Sequence, residues 1–161
     1  MIQAKDDWEL QCEEFNEYAE EEEILIPMEH VLNLVKGDAS PVLELQSNNQ
    51  PCMVTLDTGA PCNLIKTTKA KQLNATIKPT AQKVRMADGV TYLDVIGETE
   101  ITLYRNNKPY HLPAIVCNDT DTEILAGVPF MKRNDVCIRP FNDEIILGGK
   151  EFVKYSPHGT S

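Results

Sequence analysis

Three consecutive residues, Asp57, Thr58 and Gly59, carry the chemistry that the chain advertises most clearly. They follow the apolar run Val54-Thr55-Leu56 and lead into Ala60. A carboxylate at the end of a buried strand sits where water is scarce and is a candidate for proton transfer. The hydroxyl of Thr58 can bond to backbone or to a partner chain, and Gly59 lets the chain turn close to a substrate. The same triplet is also a common loop composition, so alone it marks a turn as readily as a site.

Two further segments bear on the choice. Ala87-Asp88-Gly89 lies between the strand-like runs Lys83–Met86 and Val90–Leu93. Asp-Gly at the tip predicts a hairpin, and a hairpin here could fold over a cleft as a mobile lid. Farther on, Ile124-Leu125-Ala126-Gly127-Val128-Pro129-Phe130-Met131 is an apolar run with one glycine ahead of a short helix. By itself it reads as a core strand.

The elements that must position these segments are short and β-like. Val42–Gln46 and Cys52–Leu56 flank Ser47-Asn48-Asn49-Gln50 and predict a hairpin. A brief helix is expected over Thr67–Leu73. Glu98–Tyr104 alternates, turns at Arg105-Asn106-Asn107-Lys108 and returns through Tyr110–Val116. Near the C-terminus, Val136–Ile138, Glu144–Leu147 and Glu151–Tyr155 are separated by Asn142-Asp143 and Gly148-Gly149. Many short strands with frequent turns predict an all-β barrel or sandwich.

In this order and spacing, the Asp57-Thr58-Gly59 triplet, the Asp88-Gly89 hairpin and the run ending at Gly127 resemble the retropepsin family, the aspartic proteases of retroviruses and long-terminal-repeat retrotransposons. The gypsy-like branch looks most similar, and the resemblance covers roughly residues 40–155. It implies a closed or partly open β-barrel with a flap hairpin and a short C-terminal helix, working as an obligate homodimer. Asp57 would then be the catalytic carboxylate, Thr58 the hydroxyl that interlocks two active-site loops, and Gly59 a substrate-facing backbone. Ala60 would also face substrate, and Ala87, Asp88 and Gly89 would form the flap tip. Gly127 would brace the active-site loop from beneath, and the C-terminal strands would contribute to the dimer interface.

The count of motifs has a consequence. The chain holds one Asp-Thr-Gly, whereas an aspartic protease needs two facing carboxylates, so Asp57 must meet the Asp57 of a second copy. Two such carboxylates cannot both ionise comfortably and share a proton. No metal or cofactor is required. One departure from the viral pattern is Pro61, which offers no N–H where relatives commonly carry an acidic or donor-bearing residue. That bears on substrate affinity more than on chemistry, and it favours an alternative in which the same fold serves as a binding or scaffolding module without cutting.

Charge divides the chain. Among 161 residues the formal charge is −10. Residues 1–30 hold eleven acids against the single base Lys5, leaving fourteen acids and fourteen bases in the remainder. The expected organisation is an acidic arm or spacer over residues 1–35, a protease domain over 36–155 and a short tail over 156–161. Within the arm, Trp8, Cys12, Phe15 and Ala19 recur at helical spacing, and the run Glu20–Glu23 repels itself. The arm reads as a solvated spacer, with a partner-docking or autoinhibitory segment as the sharper alternative.

Neither part offers a basic patch for nucleic acid, and no apolar run is long enough to span a bilayer. With no secretory signal visible, a cytoplasmic protein is expected, or one inside retroelement particles. Five cysteines without CxxC spacing favour reduced thiols. His30, His111 and His158 lack metal-ligand spacing, and neither Ser40 nor Ser47 sits in a nucleophile elbow. The expected partners are a second copy of the chain and a polypeptide substrate.

Overall fold

The computed structural model describes residues 22–26, 40–86, 90–156 and 159–160. Two strands, β2 (Val42–Ser47) and β3 (Gln50–Leu56), form the first hairpin. Its two-residue turn, Asn48-Asn49, has φ of 53° and 66°. Positive φ at both central positions gives the twist that antiparallel strands need, and asparagine tolerates it. Asn106 and Asn107 repeat the device, with φ of 52° and 66°, between β6 (Val95–Arg105) and β7 (Lys108–Cys117).

Six strands close into a barrel in the order β2-β3-β8-β4-β7-β6, with β4 at Leu64–Lys66 and β8 at Ile124–Ala126. A single register pair, Gln46 with Tyr104, joins β6 back to β2. Side-chain alternation puts Leu43, Leu45, Val54, Leu56, Leu103 and Leu112 inside, all essentially inaccessible to solvent. Helix α1 (Thr67–Gln72) follows β4, and helix α2 (Val128–Asn134) follows β8 and seals the core with Phe130.

Beyond α2, strands β9 (Cys137–Arg139), β10 (Glu144–Leu147), β11 (Glu151–Ser156) and β12 (Gly159–Thr160) form a separate antiparallel sheet in the order β12-β11-β10-β9. Ile145, Leu147 and Val153 tie that sheet to the barrel core. The expected all-β architecture is therefore a closed barrel with an appended sheet. Among the described residues no helix is long and apolar enough to cross a membrane.

Strand β5 (Gln82–Met86) stands outside the barrel. Tyr92 bridges to Arg85, and the Leu93 N–H donates to the Val84 carbonyl at 2.8 Å, so residues 82–93 double back as a hairpin. Its tip, Ala87-Asp88-Gly89, lies outside the described residues. The other side of β5 carries a strand that the sequence did not announce. Residues Glu22–Ile26 form β1, which pairs with β5 in parallel from Glu22↔Gln82 to Ile26↔Met86. The helical periodicity of Trp8 to Ala19 lies outside the described residues, as do Glu20 and Glu21.

Candidate active site

Asp57 leaves the end of β3 at a point set by strand pairing on both sides. Thr55 and Leu56 stand in parallel register with Leu125 and Ala126 of β8, and the Asp57 N–H donates to the Ala126 carbonyl at 2.9 Å. The chain then turns through residues 57–63 and re-enters the barrel as β4 on the far side of β8. The third strand is thus inserted between the two strands that flank the loop, and both ends of the loop hang from it.

Within the loop, the Gly59 N–H donates to Asp57 Oδ1 at 2.9 Å and the Ala60 N–H donates to the Asp57 carbonyl at 3.1 Å. These bonds hold one carboxylate oxygen against the turn. Asp57 is half-buried, while Thr58 and Gly59 are exposed. The sequence placed the carboxylate at the end of a buried strand, and Leu56 is indeed buried. In a single chain, however, the burial stops at the strand end, since Asp57 is only half-buried.

Ala60, Cys62 and Asn63 turn inward and are fully buried. Gly127 lies under them. The Val128 N–H donates to the Ala60 carbonyl at 2.9 Å, and the Gly127 N–H donates to Asn63 Oδ1 at 2.8 Å. A Cβ on Gly127 would stand 2.5 Å from both the Ala60 and Cys62 carbonyl oxygens. With φ at −96°, its backbone conformation is open to any residue, so the requirement for glycine is one of space.

Asn63 is the residue the sequence reading missed. Its Nδ2 donates to the Pro113 carbonyl at 2.8 Å, and its own carbonyl accepts from the Ile115 N–H at 3.0 Å. One side chain thereby joins the loop to β7 and to the turn before α2. A buried amide with both ends satisfied is a structural pin. No short motif marks it, since asparagine six positions after an aspartate is unremarkable in sequence.

The hairpin base packs onto the same loop. Val84 and Leu93 share a buried cluster with Ala60, Cys62, Leu64, Ile115, Cys117 and Leu125. Asp94 anchors the returning limb. Its N–H donates to the Asp119 carboxylate at 3.1 Å, and its carboxylate accepts from Asn118 Nδ2 at 2.8 Å. An open groove of about 530 Å³ runs along this base between residues 80–83 and 92–95.

Cys62 is a buried apolar filler, and burial together with the nearby Asp119 pushes the Cys117 thiol up to about 12. His111 is exposed on β7, with Nδ1 3.2 Å from Thr102 Oγ1. His30 and His158 lie outside the described residues. Among the described residues no three His, Cys, Asp or Glu side chains gather into a metal-binding cluster.

A closed barrel whose aspartate loop joins two strands held apart by an inserted third, with a hairpin packed against the loop, defines the retropepsin-like fold. The family model described as gag-polyprotein putative aspartyl protease matches residues 43–133, more than half of the chain, and the chain belongs to that family. The retroviral protease-like domain of Ddi1 from Leishmania major is similar in fold, with a TM-score of 0.58 at 14% identity, covering 73% of this chain and 94% of that one. EIAV protease complexed with the inhibitor HBY-793 matches with a TM-score of 0.48 at 18% identity, over 60% of this chain and 88% of that one. A retropepsin-like aspartic protease from Rickettsia conorii matches with a TM-score of 0.39 at 22% identity, over 60% and 73%. No curated protein matches the chain by sequence.

Proposed function

We propose that the chain is one half of an aspartic endopeptidase that hydrolyses peptide bonds as a homodimer, processing a retroelement polyprotein of the gypsy-like kind. The observation that carries this reading is the contrast within residues 57–63. The loop is pinned from below by Gly127 and Asn63, yet Asp57 is only half-buried and Thr58 and Gly59 are exposed. A rigid loop that presents a carboxylate and a hydroxyl to solvent is suited to meet an identical loop across a two-fold axis.

In that dimer the two Asp57 carboxylates share one proton, because like charges at close range cannot both persist. The ionised member takes a proton from a water molecule as it attacks the scissile carbonyl. The protonated member donates to the carbonyl oxygen. Gly59 N–H, already bonded to Asp57 Oδ1, fixes the carboxyl plane for both roles. Thr58 is the residue placed to bond across the axis, and the hairpin of residues 82–93 with its Ala87-Asp88-Gly89 tip is the lid. The terminal sheet supplies further dimer surface, since Phe141 is 98% exposed and Phe152 is 59% exposed.

Pro61 favours a second reading, a retropepsin fold that binds peptide without cutting it. Cleavage of a pooled peptide library at mildly acidic pH separates the two. Under the peptidase reading, wild type cuts, Asp57→Asn does not, and activity falls faster than linearly on dilution. Inert wild type at concentrations where it is dimeric rules that reading out in favour of the binder.

A further inference from the structure

Strand β5 has two edges and both are taken. One edge faces the returning limb through Arg85↔Tyr92 and the Leu93 to Val84 bond. The other is filled by β1 along its whole length, Gln82 to Met86. The pairing reaches the residue immediately before the hairpin tip. An extended peptide recognised by strand addition needs an open edge, and on this hairpin β1 occupies the place where such a strand would lie.

The occupant is suited to being displaced. Parallel ladders are slightly less stable per residue than antiparallel ones, and this one has five residue pairs. Glu22 and Glu23 belong to the acidic run Glu20–Glu23, whose like charges oppose ordering. The register sets Ile24 opposite Val84, which with Leu93 joins the hairpin to the buried cluster beneath the aspartate loop. Residues 27–41 then connect β1 to the barrel, a tether that keeps the segment at an effective concentration on the order of millimolar.

We infer that residues 22–26 are an intramolecular restraint, a strand that holds the lid hairpin by its outer edge and must leave before a peptide can take that edge. This rests on the reading of residues 82–93 as the lid of a peptide-binding cleft. Release of β1 frees the N–H and C=O groups of Lys83 and Arg85 on the outer edge of β5 and unloads the hairpin for opening. The acidic arm is then a gate rather than a spacer, and the peptide that replaces it is an extended segment with consecutive aliphatic residues.

Because the backbone of Val84 faces the returning limb, that of Lys83 and Arg85 faces β1, and the register makes Ile24 the β1 residue that lies between them. The test uses the full chain carrying Ile24→Pro, which removes an N–H from the pairing edge. In an Asp57→Asn background, where the probe is not cut, a fluorescein-labelled peptide of residues 20–28 is titrated against the arm variant and its unsubstituted parent. About a tenfold tighter binding by the Ile24→Pro chain is expected. Equal or weaker binding overturns the restraint. Hydrogen exchange adds an independent check, with the amides of Lys83 and Arg85, which face β1, protected in wild type and exposed in Ile24→Pro. Fast exchange at both of these amides in wild type also overturns it. With Asp57 intact, Ile24→Pro should lower KM for pooled peptides several-fold with kcat little changed, and a raised KM counts against the restraint. If neither form hydrolyses peptide while the binding difference holds, the peptidase reading fails and the gate stands.

Discussion

Asn63 and Gly127, 64 residues apart, are joined by a buried hydrogen bond of 2.8 Å from the Gly127 N–H to Asn63 Oδ1. Around this bond the aspartate loop and the turn before α2 are one unit. Truncation to Asn63→Ala leaves the buried Gly127 N–H and the partly buried Pro113 carbonyl without this partner. Each orphaned group costs about 1–3 kcal/mol. Urea unfolding should show a loss of about 2–5 kcal/mol, with hydrolysis of peptides falling even where the variant remains folded. A midpoint unchanged from wild type would remove the pin from the account.

Gly127→Ala tests space rather than hydrogen bonding. The added methyl meets two backbone oxygens, which cannot swing aside as a side chain would. Overpacking of this kind costs about 1–3 kcal/mol. The displaced groups belong to Ala60 and Cys62, so peptide hydrolysis should fall more than the thermal midpoint alone predicts. Retention of wild-type kcat/KM would show that the loop tolerates a shift.

Phe141 sits on the 3-10 turn Pro140–Asn142 between β9 and β10, almost fully exposed. If the terminal sheet contributes to self-association, Phe141→Ser should raise the dimer dissociation constant tenfold or more, about 1.4 kcal/mol. Monomer stability should change by no more than about 0.5 kcal/mol, because the ring buries little within one chain. Sedimentation equilibrium reads the first effect and urea unfolding the second. Identical association in both proteins would move the interface elsewhere.

The Cys117 thiol supplies a pH dependence with a definite sign. Burial, aided by Asp119, raises it from 9.0 to about 12. Between those values the unfolded thiol ionises while the folded one keeps its proton, so stability present below pH 9 is lost as pH rises toward 12. Cys117→Val should flatten the alkaline limb, with the difference between the two proteins growing by at most about 1.4 kcal/mol per pH unit above 9. Parallel limbs would mean that Cys117 is not the source. Alkaline loss shared by both proteins belongs to other groups, including Tyr110 and Tyr155, which burial also raises.

Local signals carried much of the architecture. The paired asparagines at 48–49 and 106–107, the alternation through Glu98–Tyr104 and the Gly148-Gly149 break each report a turn or strand through neighbouring residues alone. What stayed hidden depends on contacts distant along the chain. Strand β8 has three residues, all buried, so it lacks the alternation that would show which strands it separates. Asn63 matters through Pro113 and Gly127, neither of which its neighbourhood reveals. Strand β1 begins in a run of glutamates that reads as solvated, and its pairing partner lies sixty positions on (82 − 22).

The insertion of β8 between β3 and β4 also has a consequence for biosynthesis. During synthesis the Asp57 triplet emerges well before Ala126 and Gly127, and until those residues leave the ribosome the loop has neither its central strand nor its floor. A nascent chain in that interval carries the motif without its geometry. Long-range closure of this kind is slow compared with hairpin formation. Under the peptidase reading, topology alone therefore withholds cutting from a partly synthesised chain, before any second copy or arm comes into play.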